Sequence, residues 1–184
     1  MESMMSETKS PIIIVCGPDK CGKTNIARAL AKELRVPYYK DSREQHQFVN
    51  GMEAFYNDLL HADPARLDLL AQLNTGLVFD RGYPCEWVYS RFFNRRSSDA
   101  MIQWLDEKYA ALGAKIVVPI RRSYEGIVDD LNPLLAGSQL QRLEDLYTEF
   151  LVTSRCGWIK LYVDDEDLTR EVNVIMSFLQ MGAQ

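Results

Sequence analysis

Gly17-Pro18-Asp19-Lys20-Cys21-Gly22-Lys23-Thr24 is the stretch that decides how this chain is read. It follows an apolar run, Ile12-Ile13-Ile14-Val15-Cys16, and leads into Asn25 to Leu34, where Ile26, Leu30 and Leu34 recur at helical spacing. Strand, glycine loop and helix in that order are the context of a phosphate-binding loop. Gly17 and Gly22 let the backbone curl so that successive N–H groups face phosphate oxygens, and the helix N-terminus adds partial positive charge. Within such a loop, residues 17–24 bind the nucleotide, Lys23 reaches the β- and γ-phosphates, and the Thr24 hydroxyl ligates Mg2+.

The rest of the composition fits a small anionic ligand. A chain of 184 residues, 47% of them hydrophobic, supplies one core, so residues 11–184 are expected to form one domain behind a flexible tail of residues 1–10. A net charge of −5 gives no field that would gather a long polyanion, which favours a free nucleotide over nucleic acid. Cys16, Cys21, Cys85 and Cys156 lack metal-type spacing, and His46 and His61 stand apart from them, so reduced thiols in a cytoplasmic protein are expected, without zinc. No run approaches the length of a membrane helix.

Outward from the loop, Arg35 to Tyr39 reads as a second strand and Lys40 to Glu44 as a helix start, with Asp41 or Ser42 as cap. Phe48, Met52, Phe55, Tyr56 and Leu59 continue a helix to about Leu60, and Asp63-Pro64 is expected to begin a separate one. Thr75 to Asp80 is an apolar run ending in an acid, the form of a buried parallel strand whose carboxyl end faces a site. Tyr83-Pro84 opens a helix through Trp87 and Phe92, and Ser97-Ser98-Asp99 caps another. A fourth strand, Ala114 to Ile120, ends at Arg121 and Arg122. Residues 121–137, with weak periodicity from Ser123, read as a short lid. A helix carrying Leu140 to Phe150, a fifth strand from Trp158 to Val163, an acidic run at 164–167 and a last helix complete the chain. The acids suit the N-terminus of that helix.

Five apolar strands separated by helices predict a three-layer α/β/α fold on a parallel sheet, because parallel strands need crossover helices that cover both faces. The phosphate loop, Asp80 and Arg121 then share the carboxyl edge, where such folds bind ligands. Asp80 is placed to hold Mg2+ through water. Arg81 beside it suits a second phosphorylated molecule, which a kinase must fix and a simple nucleoside triphosphatase need not. Arg91, Arg95 and Arg96 form a basic stripe, read first as a solvated helix face and otherwise as a contact for a phosphate or a longer nucleic acid.

With these residues in view, the chain resembles the thymidylate and deoxynucleotide kinase group. The shared features are the acid at Asp19 in the glycine loop, Asp80-Arg81, and Tyr89 in the aromatic-rich helix that follows. The resemblance implies a nucleoside monophosphate kinase using ATP and Mg2+, with Asp19 near the acceptor sugar hydroxyl and Arg81 on the acceptor phosphate. It also implies that Arg121 or Arg122 is a lid arginine on the transferring group. Tyr39, Phe48, Trp87 and Tyr89 are candidates for stacking on the acceptor base. The group's pattern is left at Gly82, Cys85 and Ser90, the last standing where a base-reading glutamine is usual, which leaves the acceptor base open.

Three other outputs stay compatible with the residues. A nucleoside kinase would use Asp41 or Asp80 as base, a kinase of hydroxylated bases in DNA would take a polymer, and a regulatory ATPase would hydrolyse without an acceptor. Related kinases pair through helices, so a homodimer is compatible with the resemblance, though no stretch locates an interface.

Overall fold

The computed structural model describes residues 11–41, 53–73, 75–128 and 136–181. Its centre is a five-stranded parallel sheet of β1 (Ile12–Val15), β2 (Tyr38–Lys40), β3 (Leu77–Asp80), β4 (Lys115–Ile120) and β5 (Gly157–Tyr162), in the order β2-β3-β1-β4-β5. The helices are α1 (Lys23–Leu34), α2 (Glu53–Asn57), α3 (Asp63–Leu73), α4 (Tyr83–Phe92), α5 (Asp99–Ala111), α6 (Ser138–Thr153) and α7 (Leu168–Met181). The parallel three-layer architecture is the one expected from the alternation of apolar strands and amphipathic helices.

β1 is flanked by β3 and β4 and covered on both faces, so all four of its residues are buried, as its unbroken Ile-Ile-Ile-Val run requires. The register sets Val15 opposite Asp80 on one side and Val117 on the other, aligning the carboxyl ends of β1, β3 and β4. The chain leaves β1 on one side and returns on the other, and the crevice at that reversal is where the glycine loop lies. α1 packs on α7, and α4 packs on α5 and α6. Tyr83 stacks on Tyr109 at 5.3 Å between ring centroids and donates to Asp106, tying α4 to α5.

Two expectations about elements change. β2 begins at Tyr38 because Arg35 turns into the left-handed region at φ 55° and closes α1, taking residues 35–37 out of the strand. Asp63-Pro64 begins α3 as expected, but without a break from what precedes it. Helix α2 runs through a π-helical turn, Asp58–Ala62, into α3, and the Asp63 amide donates to the Asp58 carbonyl. Pro64 lacks the N–H that a regular ladder would use, and the wider turn absorbs that loss without breaking the rod. The start of the expected helix, Glu44 to Met52, lies outside the described residues, as do the tail at 1–10 and positions 129–135 of the lid.

The caps behave as read. Ser98 accepts from the Met101 amide at the start of α5, and Asp167 accepts from the Arg170 amide at the start of α7. All four cysteines are free and buried, and no helix among the described residues is long and apolar enough to cross a membrane.

Candidate active site

The glycine loop joins β1 to α1, and its backbone is forced into shapes that few residues tolerate. Gly17 has φ 147°, and a Cβ there would meet the Pro119 carbonyl oxygen at 2.9 Å; Gly22, at φ 68°, turns the chain into α1. Lys20 at φ 62° and Arg81 at φ 74° are also left-handed, so two long side chains of the site carry backbone strain. Lys23 is buried and folded back on the loop, its ammonium donating to the Pro18 carbonyl at 2.6 Å and to Asp19 Oδ1 at 3.3 Å.

Asp80 ends β3 beside this loop and is 1% exposed. Its Oδ2 accepts from the Thr24 hydroxyl at 2.7 Å and from the Tyr38 hydroxyl at 2.8 Å. Thr24 and Asp80 therefore form an adjacent pair of hard oxygen donors. Two such oxygens suit a hard cation that keeps water and takes phosphate oxygens as its other ligands, as Mg2+ does; no cluster of three or more His, Cys, Asp or Glu suited to a metal occurs among the described residues. Burial and the Asp80 carboxylate raise the Tyr38 hydroxyl above its ordinary pKa, which keeps it a donor.

On the other side of the loop, Asp19 gathers residues from two further elements. Its Oδ1 accepts from Arg81 Nη2 at 2.6 Å, and its Oδ2 accepts from the Tyr89 hydroxyl at 2.6 Å. The Arg81 guanidinium lies 5.7 Å from the Tyr89 ring centroid. Burial alone would raise the Asp19 carboxyl, but the charges of Lys23 and Arg81 and the hydrogen bonds from Tyr89 and Arg81 outweigh it and hold the group well below the usual carboxylate range. Tyr89 is pushed far up by burial and by Asp19, against the opposing charge of Arg81, and so stays a donor. Beneath this cluster the Tyr147 hydroxyl donates to Cys85 Sγ at 3.2 Å.

No protein-family model and no curated protein matches the sequence. Solved structures do. The YorR protein of Bacillus subtilis, in complex with phosphorylated GDP, is 21% identical with a TM-score of 0.61, the match covering 92% of this chain and 96% of that one. A thymidylate kinase from Ehrlichia chaffeensis is 13% identical with a TM-score of 0.61, covering 92% and 98%. A deoxyadenosine kinase from M. mycoides, with dCMP and a flexible dCDP bound, is 18% identical with a TM-score of 0.54, also covering 92% and 98%. The fold is that of the P-loop kinases.

Within that fold the residues singled out from the sequence divide. Lys23, Thr24, Asp19, Asp80, Arg81 and Tyr89 converge on the loop. Asp41 is buried at the end of β2, its amide donating to the Asp80 carbonyl at 3.0 Å. Tyr39 meets Phe79 edge-on at 5.7 Å and lies under the Arg66 guanidinium. Trp87 stands outside the Asp19–Arg81–Tyr89 cluster, packed on Phe150 at 5.6 Å and covered by Arg91 at 3.7 Å. Phe48 falls outside the described residues.

The two arginines after β4 separate. Arg121 Nε donates to the Lys20 carbonyl at 3.0 Å and its Nη2 to Glu166 at 3.1 Å, so this side chain spans the glycine loop and the loop after β5. Arg122 is 77% exposed, lies over the Tyr162 ring and turns to Asp164, its amide donating at 3.0 Å and its Nε 4.0 Å from the carboxylate, so it does not join the loop. The base of the expected lid is tied down: Val128 bridges Ala136, and the Tyr124 hydroxyl donates to Glu144. The basic stripe is split as well. Arg95 is buried against Glu86, whereas Arg91 and Arg96 lie over Trp87 and Tyr56.

Sequence reading missed Tyr38, whose place on a short strand gave no signal beyond that of a packing residue. It also missed a cleft of ≈ 600 Å3 that opens from Lys20, Gly22 and Asn25 past Arg121 to Val163 and Glu171. The acidic run was a partial clue to its far wall.

Proposed function

We propose that the protein is an Mg2+-dependent kinase that transfers the γ-phosphoryl group of a nucleoside triphosphate, ATP in the reading from the sequence, to a nucleoside monophosphate, with a thymidylate-like deoxynucleotide as acceptor. The observation that carries this reading is the Arg81–Asp19 contact at 2.6 Å beside Lys23. It stations a second, forked cation at the phosphate loop, one residue past the acid that serves the metal. A simple nucleoside triphosphatase has no use for it, and a phosphorylated acceptor does.

In this reading the loop amides and Lys23 hold the donor phosphates, and Thr24 with Asp80 holds Mg2+, which when bound neutralises charge on the β- and γ-phosphates. Arg81 holds the acceptor phosphate so that its oxygen attacks the γ-phosphorus in line, as the bond to the β–γ bridging oxygen breaks and the nucleoside diphosphate departs. Asp19, kept ionised by its cations, accepts from the acceptor sugar hydroxyl, and Tyr89 orients that carboxylate. Arg121 serves the donor side of the loop, since it already binds the Lys20 carbonyl.

A second reading, a nucleoside kinase, is favoured by Asp41, a buried carboxylate at the strand end next to Asp80 that suits a base for a free 5′-hydroxyl. One assay separates the readings: diphosphate formation from triphosphate with Mg2+, offering singly each ribo- and deoxynucleoside, each monophosphate and a DNA oligonucleotide, beside Arg81→Ala and Asp41→Asn. A monophosphate that stimulates turnover, with loss of that stimulation in Arg81→Ala, upholds the lead reading. Stimulation by a nucleoside, abolished by Asp41→Asn, moves the assignment to the second. Turnover indifferent to every acceptor removes both and leaves a nucleotide switch.

A further inference from the structure

The acids around the donor-side cleft are almost all engaged. Asp164 accepts from the Arg122 amide, Asp165 pairs with Arg170 at 2.6 Å, Glu166 pairs with Arg121, and Asp167 caps α7. Glu171 differs. It lies one turn into α7, is 4% exposed and lines the cleft, yet among the described residues no hydrogen bond or ion pair holds its carboxylate. Burial pushes this carboxyl up, Arg170 opposes, and the charges of Asp165, Asp167 and Glu166 add to the rise, as expected for an acid without a partner of its own. Its carboxylate oxygens are not sealed in the core but open on the cleft, so a ligand lying there can pair them.

What that ligand presents follows from the cleft. It begins at Lys20, Gly22 and Asn25, where a nucleotide with its phosphates in the loop would enter, and continues between the Arg121 side chain and the apolar Ile127, Val163 and Leu168. A flat base with one polar edge fits such walls, and Glu171 is the acid on that lining left to meet the edge. An ionised carboxylate offers two acceptor oxygens and no donor. Guanine matches it with two adjacent donors, N1–H and the 2-amino group. Adenine sets its N1 lone pair beside its single amino donor and would leave one carboxylate oxygen facing an acceptor.

The geometry points to Glu171 as the residue that reads the donor base, and to a guanine nucleotide rather than ATP as the preferred phosphoryl donor. The inference rests on the kinase reading above and replaces only its donor. Substitution by glutamine should invert the preference, because an amide carries one acceptor and one donor and so complements the adenine edge.

The test measures kcat/KM for GTP, ATP and ITP with a saturating acceptor, and in parallel the affinity of fluorescent GDP and ADP analogues, for wild type and Glu171→Gln. Wild type should favour the guanine nucleotide over the adenine nucleotide by on the order of a hundredfold, the scale expected when a buried polar site meets the wrong edge. ITP, which lacks the 2-amino group, should fall about tenfold below GTP, a comparison that needs no variant. Glu171→Gln should move both ratios toward adenine. Wild type preferring ATP, ITP equal to GTP, or ratios unmoved by Glu171→Gln would each overturn the inference. Absence of transfer to every acceptor would instead defeat the kinase reading, and the binding measurements would still decide the role of Glu171.

Discussion

Removing Arg95 should unfold much of what holds α4 in place. The Glu86 side chain is fully buried, and the Arg95 side chain, 9% exposed, grips it through two guanidinium hydrogen bonds of 2.6 and 2.7 Å while lying 4.2 Å from the Phe55 ring centroid. The sequence alone placed Arg95 in a basic stripe on a solvated face, where its loss would cost little. In the structure Arg95→Met leaves an ionised carboxylate in the core without its counter-charge, at a cost of about 3–5 kcal/mol. Against the 5–15 kcal/mol typical of whole domains this is a large share. For a chain of this length it corresponds to a fall in Tm on the order of 10 °C. Urea denaturation followed by circular dichroism measures it directly. The double variant Glu86→Leu/Arg95→Met, which removes both charges, should recover most of the loss, since apolar replacement of a buried pair is often neutral. A single variant within about 1 kcal/mol of wild type would refute the reasoning, because the pair would then be open to water. An Arg95 that served a ligand would instead raise KM and leave the denaturation midpoint where it was.

Two further outcomes follow from the site. Thr24→Val removes the hydroxyl that donates to Asp80 at 2.7 Å and, on the proposed reading, a metal ligand, and should lower kcat about a hundredfold while the protein still binds nucleotide; unchanged kcat would remove Thr24 from the chemistry. Asp19 has a folded-state pKa depressed below 3.8, so its contribution to stability is full above about pH 4 and is lost as pH falls below that value. Asp19→Asn should therefore flatten the acid limb of stability against pH, and limbs of equal slope would show that Asp19 pairs no more strongly folded than unfolded.

The sheet and the glycine loop were legible because each is fixed by short-range rules. Ile12 to Val15 must be covered on both faces, and a glycine loop between strand and helix has one geometry. Lys23, Thr24, Asp80 and Arg81 came with them, being adjacent in sequence to a strand end or a glycine. Asp63-Pro64 marked the start of α3, but the sequence shows the missing N–H and not whether the preceding turn can widen to keep the rod continuous. Trp87 misled because aromatic content does not say which side of α4 faces the loop. It packs on Phe150, while Tyr89 reaches Asp19. Tyr38 and Glu171 gave no warning at all. One is a strand tyrosine like any other, and the other lies inside a helix whose pattern Val172, Ile175 and Leu179 already explained.

The acidic run shows how a local explanation can hold and still fall short. Asp167 caps α7 as the helix dipole favours, but Glu166 reaches Arg121, which in turn holds the Lys20 carbonyl of the glycine loop. The two links differ in strength. Glu166 is 77% exposed, and an ion pair of that kind is worth about 0–1 kcal/mol, whereas the Arg121 side chain is itself only 17% exposed against the loop. Arg121 can therefore release Glu166 at small cost while keeping its place beside Lys20. If the cleft takes the donor, as proposed above, an entering nucleotide would exchange that weak anionic partner of Arg121 for its own phosphates at small cost.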